Sequence, residues 1–240
     1  MLPKQAALAA LFSFLTAGAL FGQPGPLAVN RTQFTVAAGG AIAIDAPAET
    51  LTFMKSAKTR SAVASNRSFA VAPELKGSRM MLGVPLTTEP GDYTVSLSFV
   101  SRAQEERTAT LRLTVEPFAQ PDATSTAPPV VLLDGIQLAL DGSCPIAPDS
   151  TGTFGNMQTY LQGAPNNVPN VYFFENCMEC PKCAIEQLGA DLATFLNALS
   201  APQVDVVVHS MGGLIVRAYL SGKLQLRTGN FSPFLAARRH

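Results

Sequence analysis

The sequence predicts an exported two-domain chain, an all-β sandwich followed by part of an α/β domain built on a parallel sheet. Three observations predict it. Residues 27–117 alternate short runs of Val, Ile, Phe, Thr and Leu with turn clusters. From residue 129 onward, unbroken apolar runs alternate with stretches that are apolar at helical spacing. The first 22 residues carry a targeting pattern.

That pattern is a positive charge at Lys4, a nearly unbroken apolar run over 6–20, and a small-x-small site at Ala17-Gly18-Ala19. It reads as a signal peptide over 1–22. The run is short for a bilayer, which takes about 20 residues; an uncleaved anchor is the alternative. No later segment reads as a membrane span. The expected location is secreted, periplasmic or at the cell surface. Lys+Arg and Asp+Glu both total 17 among 240 residues, so the chain is formally neutral. Neutrality gives no electrostatic reason for nucleic acid or an anionic membrane as partner.

In the β region, strands are expected at Gln33–Ala37, 41–44, 50–54, 68–71, 80–84, 92–101 and 107–116. The last two alternate strictly, with Val95, Leu97 and Phe99 on one face and Leu111, Leu113 and Val115 on another, and 102–106 joins them as a hairpin. About seven strands in this length suit a sandwich. Pro90-Gly91-Asp92-Tyr93 resembles the entry to the penultimate strand of immunoglobulin-like domains. No Cys lies here, so the inter-sheet bridge of antibody domains is absent. The domain's role stays open between a spacer and contact with a surface or glycan.

Residues 118–128, rich in Pro, Ser and Thr, read as a linker. The α/β part, 129–240, then predicts buried strands at 130–133, 171–174 and 204–208 and helices near 155–162, 185–199 and 211–220. Strands alternating with helices imply right-handed crossovers and a parallel sheet.

The third of these strands runs into His209-Ser210-Met211-Gly212-Gly213 and then a helix. A serine at such a turn stands exposed at the sheet's carboxyl edge, and the Met211 amide at the helix start can donate to an oxyanion. Small residues beside the turn keep strand and helix apart. The stretch V-D-V-V-V-H-S-M-G-G-L-I-V-R-A-Y-L resembles the nucleophile elbow of α/β-hydrolase lipases and esterases. The resemblance covers roughly residues 128–222. It implies a carboxylic-ester hydrolase with Ser210 as nucleophile, an ester or lipid substrate and no cofactor; acyl transfer is the related alternative. The family pattern is G-x-S-x-G, and Val208 stands where Gly is usual, so crowding at the turn is expected. The resemblance also puts the second oxyanion amide just after the first core strand, here Ile136 following Asp134-Gly135. Asp134 either caps that loop or sets an unhelpful charge beside the oxyanion.

The family order is Ser, then Asp or Glu, then His. The chain has two histidines, His209 and His240. His209 is expected to point away from the Ser210 hydroxyl along the strand, and His240 lies too soon after the nucleophile. The tail 223–240 reads as loop, so the triad acid and His are absent, and the chain is read as a truncated hydrolase, inactive in this form. The alternative is a non-catalytic cell-surface or carbohydrate-binding protein with a relic hydrolase portion.

Cys144, Cys177, Cys180 and Cys183 all fall in the α/β part. An even count in an exported chain favours two disulfides. Cys144 and the later cluster follow the first two core strands, whose loops should meet at one sheet edge. That favours Cys144–Cys177 with Cys180–Cys183 as a local pair. A four-thiolate zinc site is the alternative.

Overall fold

The computed structural model of the protein describes residues 25–226 other than 66, 74–78, 136–143, 145, 148 and 181. The expectations for the signal segment, the Ile136 amide, His240 and most of the tail fall outside those residues.

The N-terminal part is a curled, mostly antiparallel β structure with sandwich character. Its strands are β1 (Gly25–Pro26), β2 (Gln33–Ala37), β3 (Ala41–Asp45), β4 (Thr59–Ala64), β5 (Arg67–Pro73), β6 (Arg79–Gly83), β7 (Gly91–Val100) and β8 (Glu106–Glu116). They run in the order β1-β8-β7-β4-β5-β6-β3, with β2 also parallel to β8. The fold-over comes at β5: Arg67 to Phe69 pair with β4, and Ala70 to Pro73 pair with β6. A strand that changes partners midway turns one sheet onto the other. The alternation expected for β7 and β8 is seen, with Val95, Leu97, Phe99, Leu111, Leu113 and Val115 buried. These side chains fill the space between the layers together with Ile44, Met80 and Leu82.

One expected strand is a helix. Residues 50–54 lie in α1 (Ala48–Ser56), which buries Thr50, Leu51, Phe53 and Met54. Those positions are i, i+1, i+3 and i+4, the stripe of a helix rather than of a strand. Pro47 at the start, Glu49 in the first turn and Lys55 in the last also suit a helix and its dipole. The short run of Thr, Leu and Phe hid this longer pattern. β4, which supplies the partner of β7, was not foreseen.

The C-terminal part holds β9 (Val130–Leu133), α2 (Thr151–Phe154), α3 (Met157–Gln162), β10 (Val171–Phe174), α4 (Asn176–Glu179), α5 (Ile185–Ala198), β11 (Asp205–Val208) and α6 (Gly212–Ser221). β9 is central and fully buried, with β10 and β11 parallel to it on either side. Its four apolar residues in a row follow from burial on both faces. α5 and α6 pack closely because Gly189 carries no Cβ; one there would sit 3.2 Å from the Ala218 Cβ. Leu188, Leu192, Phe195, Ile215 and Tyr219 join β9 and Phe174 in one core.

The two parts touch. Phe118 meets Phe195 edge to face at 5.5 Å and Tyr172 at 6.4 Å. The Tyr172 hydroxyl donates to the Ala119 carbonyl at 2.8 Å, and burial pushes its pKa up to about 12. Residues 118–128 carry no helix or strand, yet their first residues lie on the α/β core. Among the described residues no helix is long and apolar enough to cross a membrane.

The cysteines form Cys144–Cys177 and Cys180–Cys183. All four sulfurs are thereby used, which removes the thiolates that a zinc site would need. Such bridges are the chemistry of oxidising compartments. The first spans 33 positions and the second 3. Loop-closure entropy scales with span, so Cys144→Ser is expected to cost about 3–4 kcal/mol in urea melts. The Cys180→Ser/Cys183→Ser pair should cost roughly half as much. Equal losses would count against the closure argument.

Candidate active site at the carboxyl edge of the parallel sheet

The chain leaves β9 to form β10 on one side, then crosses back to form β11 on the other. The connections therefore diverge between the carboxyl ends of β9 and β11. In open α/β sheets that switch point is where ligands bind. Asp134-Gly135 ends β9 and His209-Ser210 ends β11, so both sequence-predicted segments meet there.

Ser210 is exposed, with φ at +50°. An L-residue with a Cβ seldom adopts that value, and such residues concentrate at functional sites. The strain is held by the turn. The Gly212 amide donates to the His209 carbonyl at 2.9 Å, and the Gly213 amide to Ser210 at 3.1 Å. The Met211 amide is not taken up by any described carbonyl. It stands one residue before α6, at the positive end of the helix.

Close backbone approach explains two glycines. A Cβ on Gly135 would lie 2.7 Å from the Ser210 Cβ and 2.8 Å from the His209 carbonyl. One on Gly212 would lie 2.8 and 2.9 Å from the carbonyls of Leu133 and Asp134. Loop and elbow thus lie back to back. Val208 does not crowd the turn as expected. The residue is 42% exposed, and its Cγ2 is 3.9 Å from where a Gly213 Cβ would be. It faces outward, where there is room.

Asp134 is 1% exposed. Its Oδ1 accepts from the Gly135 amide at 2.6 Å and the Thr153 hydroxyl at 2.9 Å. Of the two roles weighed for it, loop capping is the one its contacts describe. His209 does not run along the strand as expected. Its imidazole Nδ1 faces Asp134 Oδ1 at 3.9 Å, across the gap between β11 and β9. His209 is the only histidine among the described residues.

Sequence reasoning missed the residues behind the loop. Glu175, Asn176 and Glu179 are all buried. Glu175 caps α4 by accepting from the Met178 amide. Burial, reinforced by the charges of Asp134 and Glu179, raises its pKa to about 8, although the Met178 and Cys177 amides pull the other way. Asn176 Nδ2 donates to the carbonyls of Asp134 at 2.7 Å and Gly135 at 2.9 Å. Glu179 accepts from the Leu86 amide at 2.5 Å and the Thr87 hydroxyl at 3.3 Å, tying α4 to the β part. The available signal was polar Glu175-Asn176 directly after a buried strand, where loops of a parallel sheet converge.

No family model and no curated protein matches the chain. Among solved structures it is similar to PcoC, a methionine-rich copper resistance protein from Escherichia coli, at 18% identity, 40% of this chain, 100% of that one and a TM-score of 0.25. Fibronectin(III)-like modules of Clostridium thermocellum CbhA align at 14%, 45% of this chain, 56% of theirs and 0.26. The GspB Siglec domain aligns at 14%, 60% of this chain, 77% of that one and 0.29. Likenesses this distant assign no function.

Proposed function

We propose that the protein is an exported carboxylic-ester hydrolase of the α/β-hydrolase type, preceded by an immunoglobulin-like sandwich. The observation that carries this reading is the positive φ of exposed Ser210 at a strand–turn–helix junction on the switch point of a parallel sheet. The fold-over at β5 and the β7–β8 hairpin support the immunoglobulin-like description.

In the proposed reaction the Ser210 Oγ attacks the ester carbonyl carbon and forms the acyl C–O bond. The Oγ proton passes to a general base, which returns it to the departing alkoxide, so the alcohol leaves. Water then attacks the acyl-enzyme, releases the acid and restores the serine. The Met211 amide, with that of Ile136, would hold the oxyanion; removing one such donor costs roughly 100- to 1,000-fold in turnover. In the family order the base is a histidine that follows the nucleophile in the chain, so the base of this scheme is a group other than His209.

A fluorophosphonate probe tests the reading, because it phosphonylates serines held in this arrangement. In the full-length natural protein, peptide mapping is expected to find the adduct on Ser210, and Ser210→Ala to remove it. No adduct, or one of equal yield in the alanine variant, would overturn the assignment.

A further inference from the structure

We propose that Asn176 is a positioning residue for the chemistry at Ser210, acting by fixing the loop that follows β9. The inference rests on the ester-hydrolase reading. Its observation is the grip of one buried amide on two successive carbonyls, those of Asp134 and Gly135. Asn176 uses both N–H donors there. Its Oδ1 is buried and has no hydrogen-bond partner among the described residues. An orphaned buried acceptor costs stability, so the residue is not explained by satisfying itself. A smaller apolar side chain would spare that cost but release both carbonyls.

The two carbonyls fix the backbone where β9 ends. Gly135 lies against Ser210, close enough to exclude a Cβ. Asn176 thereby sets from behind how that backbone meets the nucleophile's turn, without touching substrate.

Asn176 is itself anchored. It opens α4, whose next residue, Cys177, is bridged to Cys144 in the chain following β9. At the other end of α4, Glu179 takes the Leu86 amide of the β part. The β part thus holds the helix that holds the loop, a role for it that requires no ligand.

The test compares the full-length natural protein with its Asn176→Ala and Asn176→Asp variants, the second isosteric but lacking the two donors. Phosphonylation of Ser210 is followed over a range of probe concentration. The expected result is a fall of about 10- to 100-fold in the maximal rate with the half-saturating concentration unchanged. Hydrogen exchange should rise in peptides covering 130–135 and stay unchanged over 205–212. Lost structure alone would lower the labelled fraction while leaving the rate per folded molecule as in wild type, and that result overturns the inference. So do unchanged rates with unchanged exchange. Should neither variant fold, Glu179→Ala, which removes the acceptor of the Leu86 amide and leaves Asn176 in place, must lower the maximal rate in the same way; a wild-type rate there sinks the proposal. Wild-type protein that takes up no probe overturns the hydrolase reading itself. Labelled wild type with unaffected variants overturns only the role of Asn176.

Discussion

Gly212→Ala is expected to cost about 3 kcal/mol or more and to abolish probe labelling at Ser210. The added Cβ would stand 2.5 Å from Leu133 Cδ2, 2.8 Å from the Leu133 carbonyl and 2.9 Å from the Asp134 carbonyl. A side-chain tip can swing away, but the two carbonyls belong to the end of β9, which is paired on both sides. The start of α6 must move instead, and the elbow moves with it. Overpacking of this kind typically costs about 1–3 kcal/mol, with the upper end reached where backbone is the obstacle. Gly213→Ala is the contrast. A Cβ there meets nothing nearer than Val208 Cγ2 at 3.9 Å, and replacing a helical glycine by alanine gains up to about 1 kcal/mol. Neighbouring glycines should therefore give opposite signs in urea melts. Similar losses at both would mean that the elbow does not press on β9.

Much of the architecture was legible because burial writes itself into the chain. Val130–Leu133 reads as a buried strand since it is apolar without interruption, and it is buried throughout; Val171–Phe174 keeps its limits but buries only Phe174, and β11, read as buried too, is exposed at Asp205 and Val208. α5 and α6 read from apolar spacing, and β7 and β8 from alternation. α1 failed because its first apolar residues fit either period, and only tertiary packing chose between them. The site divides in the same way. The turn at Ser210 was legible because a strained turn demands small neighbours, and Gly212 supplies one. Asn176 was not, because its partners are carbonyls 41 and 42 positions away. Backbone acceptors exist at every residue, so nothing at 134 or 135 marks them as its partners. The orientation of His209 was misread for a related reason: strand periodicity gives a face but not the rotamer that brings an imidazole toward a carboxylate on the next strand.

Glu175→Gln is expected to flatten the pH dependence of stability and to leave the variant more stable than wild type in alkali. Glu175 has a folded pKa of about 8 against an ordinary value of 4.5. Below pH 4.5 the carboxyl is protonated in both states, and it contributes no pH-dependent loss. As pH rises from there, the unfolded chain releases the proton while the folded protein keeps it, so stability falls. The fall levels off above about pH 8, once both states have ionised. The gap between the two values corresponds to a loss on the order of 5 kcal/mol, at 1.36 kcal/mol for each pH unit. Glutamine keeps an oxygen for the Met178 amide and cannot ionise. Urea melts at pH 5 and pH 8.5 should show the two proteins nearly level at the first and well separated at the second; parallel curves would rule the argument out. The same protonation bears on the proposed chemistry. Near neutrality Glu175 is uncharged, so the carboxylate cluster behind the oxyanion loop carries one negative charge fewer against the charge that develops over Ser210. Probe labelling at Ser210 should accordingly slow as pH passes 8 in wild type, and Glu175→Gln should remove that decline.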